Sequence, residues 1–242
     1  MPPRVAYLDL DGTLTHEGSM LHGAHGVTLA GARALAALHE ASVRIVPASG
    51  RTVVQTREVA RLLGSRDCLA ELGAVIVRDG REERTYDARE WPGARSPEMR
   101  DLAARLCDEA GAEPYEPWFS LREHTLLLRG PAGIRDALAA RADELRAGVA
   151  VIDNGEVERG LHAYHVLPSE VSKARAIERD LAARKLTATD AVAFGDSDGD
   201  REMARAVGTF YHLGGASGGN VVGVPERFAE GLERAVALAL SG

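Results

Sequence analysis

Two aspartates separated by one residue follow the first apolar run of the chain. The run Val5–Leu8 predicts a short strand of a parallel sheet that is buried on both faces. Asp9 and Asp11 come directly after it, and side chains at positions i and i+2 of an extended chain point to the same side. Neighbouring carboxylates repel each other, and a divalent cation would relieve that repulsion. Mg²⁺ prefers one or two carboxylates, several waters and the phosphate oxygens of a substrate. The spacing therefore predicts Mg²⁺ and phosphate chemistry at the end of this strand.

Later in the chain, a hydroxyl group and an amine occur at positions that are typical of anion binding. Ser49 and Gly50 follow a second apolar run and precede a helical stretch, where the hydroxyl and the first helical N–H groups can donate to a phosphate. Arg51 completes this Ser-Gly-Arg run. Lys173 falls in the first turn of a helix predicted over residues 169–184, where the helix dipole disfavours a positive charge. That placement indicates an anionic partner nearby.

An acidic turn follows a later buried run. It contains Asp196, Ser197 and Asp200. Residues 195–199 also match Gly-x-Ser-x-Gly, the nucleophile elbow of α/β-hydrolases, which needs an acid and then a histidine downstream. The only later histidine is His212, and the acids before it crowd the same turn as the serine, so they cannot orient it. We therefore reject the nucleophile elbow and interpret the turn as a group of carboxylates at the end of a strand.

These four motifs, in this order, resemble those of the haloacid dehalogenase superfamily. The first matches Asp-x-Asp-Gly-Thr, and the last matches the family's acidic motif with Gly199 where asparagine is usual. The resemblance implies an aspartyl-phosphate mechanism with Mg²⁺ as cofactor and a small phosphorylated substrate. It implies that Asp9 is the nucleophile and that Asp11 is the general acid and base. It implies that phosphate is bound by Ser49, Gly50 and Lys173, and that the metal is held by Asp9, Asp196 and the backbone carbonyl of Asp11. It further implies that these residues are supported by Asp200, Arg51 and Ser197.

The stretch between the second and third motifs has a different character. Residues 80–167 alternate short strands and helices, and Asn154-Gly155 predicts the turn of a hairpin. This stretch resembles the type-IIB cap of the superfamily, which lies over the active site and supplies substrate contacts. Residues 1–79 and 168–242 then form the catalytic core. The predicted fold is α/β, a doubly wound parallel sheet with an inserted α+β cap.

Composition narrows the range of partners. The chain has 242 residues and a net charge of −7, and it lacks a basic run with interleaved aromatics, so nucleic acid is not an expected partner. Cys68 and Cys107 form no Cys-x-x-Cys pair and predict free thiols in a reducing compartment. No signal-peptide pattern or membrane-spanning stretch is present in the sequence, so we expect a cytoplasmic location. The sequence does not indicate an oligomeric state.

The resemblance favours an enzyme over a binding protein. An aspartate two residues after the nucleophile suits phosphatases and mutases, whereas dehalogenases lack it. The type-IIB cap is shared by sugar-phosphate phosphatases, Cof-like phosphatases and phosphomannomutases, so the expected function is hydrolysis of a small phosphomonoester, with a sugar phosphate favoured. A phosphohexomutase with the same nucleophile and a non-catalytic phosphosugar-binding protein are the alternatives. Intact acids at Asp9 and Asp11 argue against the latter, because binding alone needs neither.

Overall fold

The computed structural model describes residues 2–241, which form two compact units. The first unit runs to Glu83 and resumes at Lys173, and the second is Arg84–Ser172. These divisions fall a few residues beyond the boundaries predicted from the sequence. Within the described residues, no helix has both the length and the apolar character needed to cross a membrane.

Strands and helices alternate along the first unit, as expected of an α/β core. The strands of the chain are β1 (Val5–Leu8), β2 (His22–Gly23), β3 (Gly26–Val27), β4 (Arg44–Pro47), β5 (Cys68–Ala70), β6 (Val75–Arg78), β7 (Arg81–Arg84), β8 (Glu113–Pro114), β9 (Leu126–Pro131), β10 (Val149–Glu158), β11 (Leu161–Pro168), β12 (Ala191–Gly195), β13 (Thr209–Leu213) and β14 (Val221–Val224). The α-helices are α1 (Ala30–Glu40), α2 (Val53–Leu62), α3 (Pro97–Ala110), α4 (Trp118–Leu121), α5 (Arg135–Leu145), α6 (Lys173–Arg184) and α7 (Phe228–Ser241). Short 3₁₀ helices cover Glu71–Gly73, Ala188–Asp190 and Asp200–Arg205.

A parallel five-stranded sheet forms the centre of the first unit. Its strand order is β14-β13-β12-β1-β4. The chain passes from β1 to β4 on one side and later returns to β12 on the other, so the strand order reverses beside β1. Open α/β sheets bind ligands at the carboxyl ends of the strands next to such a reversal. The predicted α/β class with a parallel sheet is confirmed.

Alternate residues of β1 pack against opposite layers of helices. Leu8 belongs to a core cluster that also contains Leu35 of α1 and Leu232 of α7. Tyr7 belongs to a second cluster that contains Ile177 of α6. Every residue of β1 is buried, which is typical of a central strand covered on both faces. The strand therefore holds the residue that follows it, Asp9, at a fixed place on the sheet edge.

The second unit contains an antiparallel sheet of order β10-β11-β9-β8, with α3 and α5 against it. The prediction of a hairpin turn at Asn154-Gly155 is wrong. β10 continues through these residues as a bulged strand, in which the Gly155 N–H donates to Asp153 Oδ1 at 2.8 Å. The chain reverses instead around Gly160, whose φ is 75°. An Asn-Gly step provides left-handed backbone, and here that backbone produces a bulge.

An ion network built on the buried carboxylates of Asp67 and Asp180 joins α6 to the central sheet. The Tyr7 hydroxyl donates to Asp180 Oδ2 at 2.8 Å. Arg184 bridges Asp180 and Asp67, donating at 2.8 Å and 2.9 Å respectively. Arg44 donates a further hydrogen bond to Asp67 at 2.9 Å. Because the network ties β1 to α6, it fixes the two elements from which Asp9 and Lys173 project.

We expect Asp67→Asn to lower the free energy of unfolding by about 3 kcal/mol at pH 7, because Asp67 is buried and its loss leaves Arg184 under-compensated. Burial opposes ionisation of Asp67, but the Asp79 N–H and the guanidinium groups of Arg184 and Arg44 hold its pKa below the usual range. The stabilisation is therefore present above pH ~4 and is lost as the pH falls through the lowered pKa. Urea unfolding of the wild type and of Asp67→Asn at pH 7 and at pH 3.5 would measure the loss of unfolding free energy at each pH.

Asp108→Asn is the matched control, because Asp108 is exposed. It should change the unfolding free energy by less than about 0.5 kcal/mol at either pH. An equal loss for Asp67→Asn at both pH values would contradict the electrostatic explanation and would indicate a packing effect.

Candidate active site

The turn after β1 depends on a glycine. The Leu10 carbonyl accepts N–H donors from Leu14 and Thr15 at 3.0 Å and 2.8 Å, which closes the turn. Gly12 adopts a φ of 88°, and a Cβ there would lie 2.3 Å from Asp196 Oδ2. Only glycine accommodates both this backbone conformation and this close approach. The glycine of the first motif thus allows the acid of the last motif to reach the end of β1.

A buried ion cluster lies at the end of β1. Lys173 Nζ is 2.6 Å from Asp9 Oδ1 and 2.6 Å from Asp200 Oδ1. All three side chains are buried. The structure therefore brings together residues 164 positions apart in the sequence, as the shared motif order predicted. An ammonium held between two carboxylates explains why a lysine can occupy the first turn of α6.

The acidic turn after β12 orients Asp200. Ser197 Oγ donates to Asp200 Oδ2 at 2.6 Å, and the Asp200 N–H donates back to Ser197 Oγ at 3.1 Å. Because this hydroxyl is bonded to Asp200, the geometry matches a supporting role and not a nucleophile elbow. Glu202 Oε1 accepts the Lys173 N–H at 3.0 Å, at the start of α6. This contact was not predicted, and it offsets the unfavourable placement of a lysine at a helix N-terminus.

Asp196 is held by residues that the sequence analysis did not single out. Thr13 Oγ1 donates to Asp196 Oδ1 at 3.1 Å, and His212 Nε2 donates to the Asp196 backbone carbonyl at 3.1 Å. Arg227 Nη2 lies 3.9 Å from Asp196 Oδ2. Thr13 could have been suspected from its position in the first motif. His212 and Arg227 carry no local signal, because their partner lies on another strand end.

Burial and crowding set the ionisation of the cluster. Burial, together with the negative charge of Asp200, raises the pKa of Asp9 to about 8 despite the attraction of Lys173. Burial would lower the pKa of Lys173, but Asp200 and Asp9 outweigh it and raise that pKa, so the ammonium stays charged. Burial likewise opposes ionisation of Asp200, yet Lys173 and Ser197 lower its pKa. If both carboxylates were ionised, they would carry more negative charge than Lys173 balances, and the raised pKa of Asp9 reflects that excess.

The donor set suits a hard divalent cation. Asp9, Asp196 and Asp200 each offer a carboxylate oxygen, and these oxygens lie within 4.8 Å of one another. Burial and the charge of Asp200 also raise the pKa of Asp196, which is a further sign of excess negative charge. Oxygen ligands of this kind fit Mg²⁺. The Asp11 carboxylate lies outside this set, and the metal contact expected of its backbone carbonyl stays a prediction.

Asp11 and the second motif form a separate group. Arg51 binds both carboxylate oxygens of Asp11, with Nε 2.8 Å from Oδ2 and Nη2 2.5 Å from Oδ1. Ser49 is buried at the carboxyl end of β4, where its Oγ accepts the Arg51 N–H at 3.2 Å. Gly50 lies between the two. Since β4 pairs with β1, Ser49 and Gly50 occupy the strand end next to Asp9, whereas Lys173 reaches Asp9 from α6.

Comparison with known proteins identifies relatives by sequence. Residues 150–218 match the family of haloacid dehalogenase-like hydrolases. The phosphoglycolate phosphatase of Aeropyrum pernix is 30% identical over 206 residues, which cover 84% of this chain and 78% of that protein. This similarity extends through both units of the chain.

Solved structures share the fold at lower sequence identity. A Thermoplasma acidophilum protein superposes with a TM-score of 0.76 at 14% identity, covering 99% of both chains. The sucrose-phosphatase of Synechocystis, determined with sucrose and phosphate, gives a TM-score of 0.74 at 16% identity and covers 99% of this chain and 98% of its own. At this level of identity the likeness concerns the fold alone.

Proposed function

The chain belongs to the haloacid dehalogenase-like hydrolases, and on that premise we propose that it hydrolyses its substrate through an aspartyl-phosphate on Asp9 with Mg²⁺ as cofactor. It is a phosphoric monoester hydrolase that acts on small phosphoesters. The observation that carries the proposal is the buried contact of Asp9 with Lys173 beside Asp196 and Asp200. A carboxylate fixed on a strand end, next to a cation and further acids, is suited to attack a phosphorus atom.

The first step transfers the phosphoryl group to the protein. A carboxylate oxygen of Asp9 attacks phosphorus in line with the ester bond, a new O–P bond forms, and the bond to the leaving oxygen breaks. Asp11 gives its proton to that leaving oxygen, so the product departs as an alcohol. Ser49 and Lys173 hold the oxygens of the phosphoryl group as it moves. When bound by Asp9, Asp196 and the Asp11 carbonyl, Mg²⁺ supplies positive charge that neutralises those oxygens.

The second step regenerates Asp9. A water molecule attacks phosphorus, and Asp11, now a carboxylate, accepts the proton that this water loses. The O–P bond to Asp9 breaks, and inorganic phosphate leaves. Asp200 keeps Lys173 in place throughout, because it accepts the second hydrogen bond of the ammonium at 2.6 Å.

Two substrate classes are favoured by different observations. Relatives that cover most of the chain are phosphoglycolate phosphatases, which favours a small phosphorylated acid. The type-IIB resemblance and the likeness to sucrose-phosphatase favour a sugar phosphate, but that likeness concerns the fold. We therefore place 2-phosphoglycolate first and sugar phosphates second.

The test is release of inorganic phosphate from 2-phosphoglycolate and a panel of sugar phosphates, measured with Mg²⁺ and with EDTA. We expect turnover of at least one substrate, with a loss of roughly 100-fold or more in EDTA. Release that is unchanged by EDTA would contradict the proposed cofactor. No release from any phosphomonoester, accompanied by isomerisation of a hexose 1-phosphate once a hexose bisphosphate is added, would replace the phosphatase by a mutase.

A further inference from the structure

The fork between Arg51 and Asp11 is unlike the buried cluster beside it. Both carboxylate oxygens of Asp11 accept hydrogen bonds from the Arg51 guanidinium, and Thr15 Oγ1 adds a third at 3.3 Å. The Asp11 side chain is 59% exposed and that of Arg51 is 24% exposed, whereas Lys173 and its partners are almost inaccessible. Ion pairs that water can reach contribute little net stability and are easily exchanged for another partner.

The fork conflicts with the role proposed for Asp11. A carboxyl group can serve a leaving oxygen only if one of its own oxygens lies within hydrogen-bonding distance of it. In the fork, both oxygens of Asp11 are directed at the guanidinium. The pair must therefore open before the ester bond breaks, and the guanidinium then needs another anionic partner close by.

We propose that the substrate supplies that partner, and that Arg51 selects phosphomonoesters with a carboxylate close to the ester oxygen. This inference rests on the proposed function. Arg51 reaches the group that serves the leaving oxygen, so it also reaches a carboxylate only two bonds beyond that oxygen. A guanidinium binds a carboxylate through the same two-point geometry that it uses on Asp11. Exchange of one carboxylate for the other frees Asp11 when the correct substrate arrives. Without the guanidinium beside it, Asp11 takes up from solvent the proton that it then gives to the leaving oxygen.

Substrates without a carboxylate near the ester oxygen leave the fork closed. A sugar phosphate or a simple alkyl phosphate presents hydroxyl groups near the ester oxygen, and these compete poorly with a carboxylate for a guanidinium. Such substrates should therefore react slowly as well as bind weakly. Phosphorylated hydroxy acids, of which 2-phosphoglycolate is the smallest, are the class that the fork fits.

The first test needs only the unmodified enzyme and a matched pair of substrates. 2-Phosphoglycolate and 2-hydroxyethyl phosphate have nearly the same size and differ in their terminal carboxylate. We expect kcat/KM to favour 2-phosphoglycolate by roughly 10- to 100-fold, with part of the difference in kcat. A ratio near one, with phosphate released from both, would overturn the inference and leave the proposed function intact.

Variants then separate selection from simple structural support. Arg51→Gln should lower kcat/KM for 2-phosphoglycolate much more than for 2-hydroxyethyl phosphate, until the two substrates differ by less than about threefold. Arg51→Lys should keep part of the preference for 2-phosphoglycolate, because lysine keeps the positive charge but lacks the two-point geometry of the guanidinium. Arg57→Gln is the matched control, since Arg57 pairs with Glu82 on the surface, and it should keep the full preference.

The pattern of loss decides the outcome. If Arg51 had only a structural role, its replacement would reduce kcat/KM for both substrates by the same factor, and that result would refute selection by the fork. The Arg51 N–H that contacts Ser49 is a backbone group and is retained in every variant. Failure of the unmodified enzyme to release phosphate from this pair and from every sugar phosphate would instead remove the proposed function, and the inference with it.

Discussion

Asp9→Asn is expected to lower kcat by at least about 10,000-fold while the protein stays folded. An amide oxygen is a far weaker nucleophile than a carboxylate, and removal of a nucleophile in other enzymes has effects of this size or larger. The substitution keeps the volume of the side chain and removes one negative charge from a crowded cluster. Phosphate release with saturating Mg²⁺, measured on the best substrate of the panel, would give the value.

The same substitution should have the opposite effect on stability when metal is absent. Burial and Asp200 raise the pKa of Asp9 to about 8, whereas the unfolded chain has a value of about 4. The folded protein then binds the extra proton between these values, so wild-type stability falls as the pH rises from 4 to 8. In EDTA at pH 8, the melting temperature of Asp9→Asn should therefore exceed that of the wild type, and the two should converge near pH 4.

Addition of Mg²⁺ should reverse this order. The metal should stabilise the wild type more than Asp9→Asn, because the variant lacks one anionic oxygen donor. Asp198→Asn is the matched control, since Asp198 is an exposed acid in the neighbouring turn, and it should keep both activity and metal response. Substantial Mg²⁺-dependent turnover by Asp9→Asn would show that another residue is the nucleophile.

The proximity of acids that are far apart in the sequence could be predicted, because parallel strands constrain where their ends lie. Asp9 and Asp196 each follow a buried run, and the carboxyl ends of neighbouring parallel strands lie at one edge. Lys173 stood out because its position conflicted with the helix dipole. In each case a local rule, combined with the sheet topology, placed the residue at the site.

The partners of these side chains could not be predicted in the same way. The bonds of Asp196 to Thr13 and of Asp11 to Arg51 depend on loop geometry that no period or motif encodes. The Asn-Gly step before Gly155 shows a related limit, since a left-handed residue fits a bulge as well as a turn and the wider sheet decides between them. Substrate choice depends on such contacts, which is why the motifs indicated a phosphatase but left its substrate open.

Lys173→Met is expected to lower the free energy of unfolding by about 3–5 kcal/mol without metal and kcat by at least about 1,000-fold. The change leaves Asp9 and Asp200 buried without the ammonium that both contact at 2.6 Å. An uncompensated buried charge destabilises a protein far more than loss of an exposed pair. Urea unfolding in EDTA and phosphate release with Mg²⁺ would measure the two effects.

A second substitution separates charge balance from catalysis. Lys173→Met combined with Asp200→Asn removes one carboxylate with the ammonium, so it should recover roughly half of the lost unfolding free energy but none of the activity. Lys185→Met, at an exposed lysine, is the control and should change neither property appreciably. If the double variant were as unstable as Lys173→Met, the lysine would act through packing. If the double variant regained turnover, Lys173 would serve only to balance the charge of Asp200. Removal of a neighbouring charge cannot replace an amine that holds the transferring phosphoryl group.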